Sequence, residues 1–101
     1  MLLAAAALLA SGCKHVEPAP GASEVRVISA DEANRPSCRR LGETLVEVPA
    51  KVGFVSRGKD KVAAELETMA RNSAVGLEGN AVAPVGEVEE GKREYGIYRC
   101  H

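Results

Sequence analysis

The 101-residue chain has no tryptophan, one phenylalanine and two tyrosines, and it has no excess of charge of either sign. Its 13 Lys and Arg residues are offset by 14 Asp and Glu residues, which gives a net charge of −1. A nucleic-acid-binding protein would carry a clear basic excess and aromatic side chains for base stacking, so the composition argues against that class. The length allows one small domain at most.

Motifs for phosphate binding, nucleophilic catalysis and metal binding are also missing. The sequence has neither a G-x-x-x-x-G-K nor a G-x-S-x-G motif. A zinc site needs about four ligands, and the three cysteines and two histidines show no C-x-x-C or H-x-x-x-H spacing. The acidic cluster around Glu87–Glu94 is typical of a solvated surface. We therefore expect no enzyme activity, no cofactor and no metal.

The first twelve residues contain ten apolar side chains and no charge. The run is too short to span a bilayer as a helix, and it is typical of the apolar region of a secretory signal peptide, predicted over residues 1–12. It ends in Leu-Ala-Ser-Gly-Cys, which resembles the lipobox of bacterial lipoproteins. The resemblance implies that Cys13 is acylated and holds the protein to a membrane of the cell envelope. Lys14 follows Cys13 where inner-membrane lipoproteins often have Asp, so enterobacterial sorting favours the outer membrane, on its periplasmic side.

Residues 13–23 contain Pro18, Pro20 and Gly21 and predict a flexible tether between the lipid and a folded domain over residues 24–101. In that domain, β-branched or alternating patterns predict strands over residues 24–29, 41–48, 80–85 and 93–100. Residues 31–37 are predicted to be a turn-rich connector, and residues 86–92 a polar connection. Residues 50–58 stay ambiguous, because Val52, Phe54 and Val55 are apolar enough to pack in a core, whereas Gly53 and Gly58 break any long element.

One segment, residues 59–77, has the apolar spacing of an amphipathic helix. The predicted buried stripe contains Val62, Leu66, Met69, Ser73 and Leu77, with Ala70 and Ala74 beside it. The pattern as a whole predicts an α+β fold in which one helix covers a small antiparallel sheet of about four strands, in the order β-β-α-β-β.

Several short motifs together resemble a bacterial lipoprotein family called domain of unknown function 4156. They are Arg71-Asn72-Ser73-Ala74, Gly79-Asn80-Ala81-Val82, Gly96-Ile97-Tyr98-Arg99-Cys100, and Cys38 followed by Leu41-Gly42-Glu43. One departure is Glu78, which stands where a glycine would be expected to close the helix. The family is distantly similar to the outer-membrane sensor lipoprotein of the Rcs phosphorelay, which implies a tethered small α/β domain. That sensor has two disulfides, so its stress-signalling role is not carried over.

Cys38 and Cys100 are the two thiols that remain if Cys13 is acylated. An exported domain folds in an oxidising compartment, so we predict a disulfide between them, with Cα atoms within about 7 Å. Arg35, Arg39 and Arg40 form a small basic cluster, interpreted either as a solubilising surface or as a patch for lipopolysaccharide phosphate or an acidic periplasmic protein.

Two functions therefore stay open. The first is a non-enzymatic, lipid-anchored envelope protein that acts as a small interaction or sensing module. The second is a thiol-redox or metal-responsive periplasmic protein that uses Cys38 and Cys100.

Overall fold

The computed structural model describes residues 16–101. The predicted signal peptide and Cys13 lie outside the described residues. The described chain forms one four-stranded sheet, one two-stranded sheet and one long helix. In chain order its elements are a 3-10 helix Ala22–Glu24, β1 Arg26–Val27, α1 Ala30–Ala33, β2 Cys38–Glu47, β3 Lys51–Val52, β4 Val55–Ser56, α2 Lys59–Gly76, β5 Ala81–Glu89 and β6 Lys92–Cys100.

The main sheet has the strand order β1-β5-β6-β2. The β5–β6 and β6–β2 pairs are antiparallel, as expected from the short connection between β5 and β6. The four strands and the covering helix confirm the predicted α+β architecture. The prediction of an antiparallel arrangement is wrong for β1, which lies parallel to β5 and pairs Arg26 with Ala81. The long stretch of chain between β1 and β5, which includes β2 and α2, makes that crossover possible.

One face of the sheet is covered by α2, whose buried column is Val62, Leu66, Ala70 and Ala74. These residues form the main core with strand side chains such as Val82, Tyr95 and Ile97. The predicted stripe was correct at its centre and wrong at its end. Leu77 is 48% exposed, because the helix ends at Gly76 and the stripe does not continue beyond it.

The opposite face of the sheet carries a second, smaller core made of Ile28, Ala33, Ala81, Ala83 and Cys100. Ala33 belongs to α1, a single turn within the segment predicted to be a connector. Ser29 caps this turn, because its Oγ accepts a hydrogen bond of 3.1 Å from the Glu32 amide. This single helical turn, through its buried Ala33, therefore shields one end of the sheet face away from α2.

Residues 16–23 pack on α2, which corrects the prediction of a flexible tether for this part of segment 13–23. Asn72 holds the segment through its side chain: Oδ1 accepts from the Ala19 amide at 2.8 Å, and Nδ2 donates to the Glu17 carbonyl at 2.9 Å. Val16 packs against the main core, and Ala22 is buried. Pro18 and Pro20 cannot donate to a strand ladder, but the backbone groups of Glu17 and Ala19 remain free to bond to a side chain of another element.

Several strand boundaries differ from the prediction. The strand predicted over residues 24–29 is reduced to Arg26–Val27, because Glu24 belongs to the preceding 3-10 helix. β2 begins at Cys38, so this cysteine lies in a strand and not in the connector before it. β5 continues to Glu89, and the predicted polar connection is reduced to a tight turn at Glu90 and Gly91, where φ is 51° and 76°. The ambiguous segment contains β3 and β4, which pair with each other alone. Turn residues with positive φ allow such two-residue hairpin connections.

Candidate functional site at the disulfide-linked end of the sheet

Cys38 and Cys100 are directly opposite each other on β2 and β6 and form a disulfide, with their Cα atoms 3.9 Å apart. The predicted pairing is confirmed. The bond lies on the sheet face away from α2, where both cysteines contact the smaller core and Tyr98. Cys100 is 9% exposed, so the bond is shielded on its β6 side. The bond joins two strands that are already hydrogen-bonded, at the point where both approach the end of the ladder.

Asn80 continues the β5 ladder at this point with its side chain. Its Nδ2 donates to the Cys100 carbonyl at 2.7 Å, and its Oδ1 accepts from the Cys100 amide at 2.8 Å. The Asn80 amide itself donates to the Tyr98 carbonyl at 2.9 Å. One amide side chain thus satisfies both polar backbone groups of a mostly buried residue, which would otherwise lack partners.

The way in which α2 ends explains the backbone conformation of Glu78 and the need for glycine at position 79. The Gly79 amide donates to the Ala74 carbonyl at 2.8 Å, and the Glu78 amide donates to the Val75 carbonyl at 3.1 Å, which is a Schellman cap. Glu78 occupies the left-handed position with φ 62°, where glycine was expected. A Cβ at Gly79 would lie 2.8 Å from Ile97 Cγ2, so the helix packs on β6 only with glycine here.

The three arginines of the predicted patch are all exposed but do not form one cluster. Arg40 and Arg39 are adjacent in β2, so they point to opposite faces of the sheet. Arg40 is paired with Glu43 at 2.7 Å, which offsets its charge. Arg35 lies in the turn after α1. The patch as a binding site stays a prediction.

Arg99 is a residue that sequence reasoning did not place in this patch. It lies directly opposite Arg39 in the β2–β6 register, and its Nη1 donates to the Glu78 carbonyl at 3.0 Å. The two guanidinium groups therefore lie on the same face of the sheet, close to the carboxyl end of α2, where the helix dipole favours positive charge. The available signal was the Tyr-Arg-Cys motif, which places Arg99 next to the predicted disulfide.

A second polar cluster lies on the open part of the sheet, on the face away from α2. Glu43 of β2 and Glu94 of β6 are close enough for their carboxyl groups to share a hydrogen bond, and this contact raises the pKa of Glu94. Arg40 acts in the opposite direction on the same group. Leu45 and Val85 flank this pair and are 68% and 50% exposed.

The chemistry that these residues can perform is limited. Within residues 16–101, no group of three or more His, Cys, Asp or Glu side chains is arranged to hold a metal ion. In the same range, no helix combines the length and the apolar character needed to cross a membrane. Burial raises the pKa of Tyr95, which lies beneath α2, away from solvent. What remains at the disulfide-linked end of the sheet is the Cys38–Cys100 bond and the exposed guanidinium groups of Arg39 and Arg99.

Comparison with known proteins agrees with the motifs that meet at this site. Searches of curated proteins and of solved structures return no match. The sequence model of the family described as "Domain of unknown function (DUF4156)" matches residues 16–100. This range includes the docked segment from Val16, both cysteines of the disulfide, and the Gly79–Asn80 junction. The chain therefore belongs to the DUF4156 family.

Proposed function

We propose that this protein is exported and anchored by a lipid on Cys13, and that its folded domain is a binding or sensing module of the bacterial envelope, not an enzyme. The observation that carries the proposal is the Cys38–Cys100 disulfide, since such bonds persist in oxidising compartments outside the cytoplasm. The lipobox-like residues before Cys13, in a separate part of the chain, also favour export from the cytoplasm.

The surroundings of the disulfide favour a structural role over the redox alternative. A redox-active disulfide must be open to attack by a thiolate. The Cys100 side of this bond is shielded by Ala81 and Ala83, and its backbone is held by Asn80. A bond in this position stabilises the end of the sheet, which leaves the exposed surfaces of the domain to contact a partner.

The exposed cations Arg39 and Arg99, which lie on one face of the sheet, favour an anionic partner in the envelope, such as lipopolysaccharide phosphate or an acidic protein. Cross-linking in native envelopes, followed by purification, would identify it. The R39A–R99A double variant should lose the cross-linked partner, whereas Arg71→Ala, on the helix, should retain it. Equal yields from both variants would exclude these arginines as the contact. The distant resemblance to the Rcs sensor lipoprotein favours envelope sensing as the more specific role of this module.

Acylation is tested by intact-mass measurement and membrane fractionation of the full chain and of Cys13→Ala. The wild-type protein should be cleaved before Cys13, carry acyl chains and fractionate with the outer membrane. Several acyl chains anchor firmly, because each buried methylene contributes about 0.8 kcal/mol. Cys13→Ala should remain uncleaved or be released into the periplasm, while Ser11→Ala, which keeps a small residue there, should behave as wild type. A cleaved C13A protein that stays fully with membranes would exclude this anchor.

The redox alternative is tested by mass measurement of the folded protein with increasing reductant. A structural bond should resist mild reductant until the domain unfolds. Rapid reduction of the native protein, or a bound metal ion, would support the alternative.

A further inference from the structure

Three strongly exposed apolar side chains of the described residues lie together at the β3–β4 hairpin. Phe54, the one phenylalanine of the chain, is 104% exposed, and Val52 and Val55 are 68% and 70% exposed. Val52 pairs with Val55, and the turn between them is formed by Gly53, with φ 62°, and Phe54. This arrangement concentrates apolar surface at a projecting tip, where it cannot contribute to either core.

The base of the hairpin is firmly attached to the domain. Arg57 and Glu65 of α2 form an ion pair of 2.7 Å, with side chains only 14% and 13% exposed. The Arg57 amide and its Nη1 also donate to the carbonyls of Ala50 and Pro49, both at 2.9 Å. The tip is therefore carried by a fixed support and projects from it.

Two exposed lysines, Lys51 and Lys59, lie near the base of this tip. Segment 50–61 contains four cationic residues and one carboxylate, although the whole chain has a net charge of −1. Lys51 and Lys59 are exposed, and none of the ion pairs between residues 16 and 101 involves either of them. Both line a groove with Asp60 on their own side and with Glu87 and Glu90 of the β5–β6 hairpin on the other.

We propose that the β3–β4 hairpin is a membrane-contact element that inserts Phe54 into the interfacial layer of a phospholipid surface, with Lys51 and Lys59 on lipid phosphates. A short apolar tip with lysines at its base matches the layering of a bilayer, in which acyl chains lie beneath anionic phosphates. The acidic side chains Glu87 and Glu90 lie across the groove, so the hairpin tip makes the contact and the opposite wall stays in water. The inference rests on the proposed envelope location but does not require acylation.

The absence of tryptophan allows a single reporter to test this contact. Phe54→Trp is introduced into the full chain with Cys13→Ala, so that no acyl group contributes to binding. Vesicles of phosphatidylcholine with phosphatidylglycerol should shift the indole emission to shorter wavelength, and brominated acyl chains should quench it. Leu45→Trp, on the open sheet face, is the matched control and should show neither effect. Residues 1–12 are the same in both proteins, so their effect on partitioning is common to both.

The charge requirement is tested by partitioning of the same C13A chain. Removing two cations by K51Q and K59Q should weaken binding to phosphatidylglycerol-containing vesicles about 30-fold, at about 1 kcal/mol for each cation. Phe54→Ser should weaken binding to these vesicles and to pure phosphatidylcholine vesicles. The proposal is overturned if the F54W indole is unaffected by vesicles while the protein is bound to them. It is also overturned if the shift occurs without lipid as protein concentration rises, which would show that a second copy covers the tip. Neither outcome depends on whether Cys13 is acylated.

Discussion

Asn80 and Cys100 are joined by two hydrogen bonds: the Cys100 amide donates to Asn80 Oδ1 at 2.8 Å, and Asn80 Nδ2 donates to the Cys100 carbonyl at 2.7 Å. The side chain takes the place of a further β5 residue at the point where the chain leaves α2 and enters the sheet. This contact therefore connects the helix end, the start of β5 and the disulfide. It also accounts for an asparagine in the Gly-Asn-Ala-Val motif, since an amide side chain has one donor group and one acceptor group, as a backbone residue does.

Replacement of Asn80 should destabilise the domain more than replacement of an exposed asparagine. Asn80→Ala leaves the Cys100 amide and carbonyl without these partners, at a cost of about 1–3 kcal/mol for each group that stays dry. Asn80→Asp can still accept but cannot donate, so it should also be destabilising. Urea midpoints measure the effect, with exposed Asn34→Ala as the control. Equal midpoints for N80A and N34A would contradict the proposed role of this side chain.

Loss of the disulfide should lower stability substantially without changing the fold. The cysteines are separated by 62 residues, and the chain-entropy estimate for a loop of this length is about 4 kcal/mol. We expect the C38A–C100A double variant to unfold at lower urea and to be insensitive to reductant. Wild-type protein treated with reductant in urea should unfold at a similar midpoint. A double variant as stable as oxidised wild type would show that the ladder alone holds this end of the sheet.

Leu66 and Leu77 allow the same substitution to be compared at two sites of the predicted stripe. Leu66 is fully buried and Leu77 is 48% exposed. Leu66→Ala should cost about 2–5 kcal/mol, as expected for a cavity in a core. Leu77→Ala should cost less than 1 kcal/mol. Thermal or urea unfolding measures both losses of stability. Similar losses for L66A and L77A would contradict the burial of Leu66 and the exposure of Leu77 in the structure.

Glu78 occupies a backbone conformation that glycine adopts without penalty, with φ 62°. Glu78→Gly should therefore stabilise the domain by about 0.5–1 kcal/mol, because the left-handed region costs an ordinary residue about 1–2 kcal/mol and glycine has its own entropic cost. Glu67→Gly, inside the same helix, should destabilise by about 1 kcal/mol. Urea midpoints that shift in opposite directions would support the cap, and a loss in both variants would contradict it.

Glu94 should give the domain a small dependence of stability on pH. Its folded pKa is raised because the protonated Glu94 carboxyl donates a hydrogen bond to the Glu43 carboxylate, so the folded state holds a proton that the unfolded state releases. The stabilisation that Glu94 contributes is fully present at pH values below the ordinary glutamate pKa of about 4.3, and it is lost as the pH rises through the folded pKa. Glu94→Gln should flatten this part of the pH profile relative to wild type. Glu87→Gln, at an exposed site of the neighbouring strand β5, is the control, and identical profiles for E94Q and E87Q would exclude the carboxyl pair.

Local patterns in the sequence determined the long helix, the four strands of the main sheet and the pairing of Cys38 with Cys100. The helix period and the alternation in β6 depend on neighbouring residues, so they can be read without knowledge of the fold. The disulfide followed because the predicted export segment and acylation leave two thiols in an oxidising compartment. The Gly-Asn-Ala-Val and Tyr-Arg-Cys motifs also indicated the family, although not why these residue types occur.

Only the tertiary structure decided which distant groups meet. The parallel pairing of β1 with β5, the docking of residues 16–23 by Asn72 and the bonds from Asn80 to Cys100 join residues far apart in the chain. The division of Arg39 and Arg40 between two faces depends on the strand geometry at that point, which begins at Cys38 and not at Leu41. The exposure of Phe54 was likewise hidden from sequence reasoning, because an apolar side chain is expected in a core until the space around it is known.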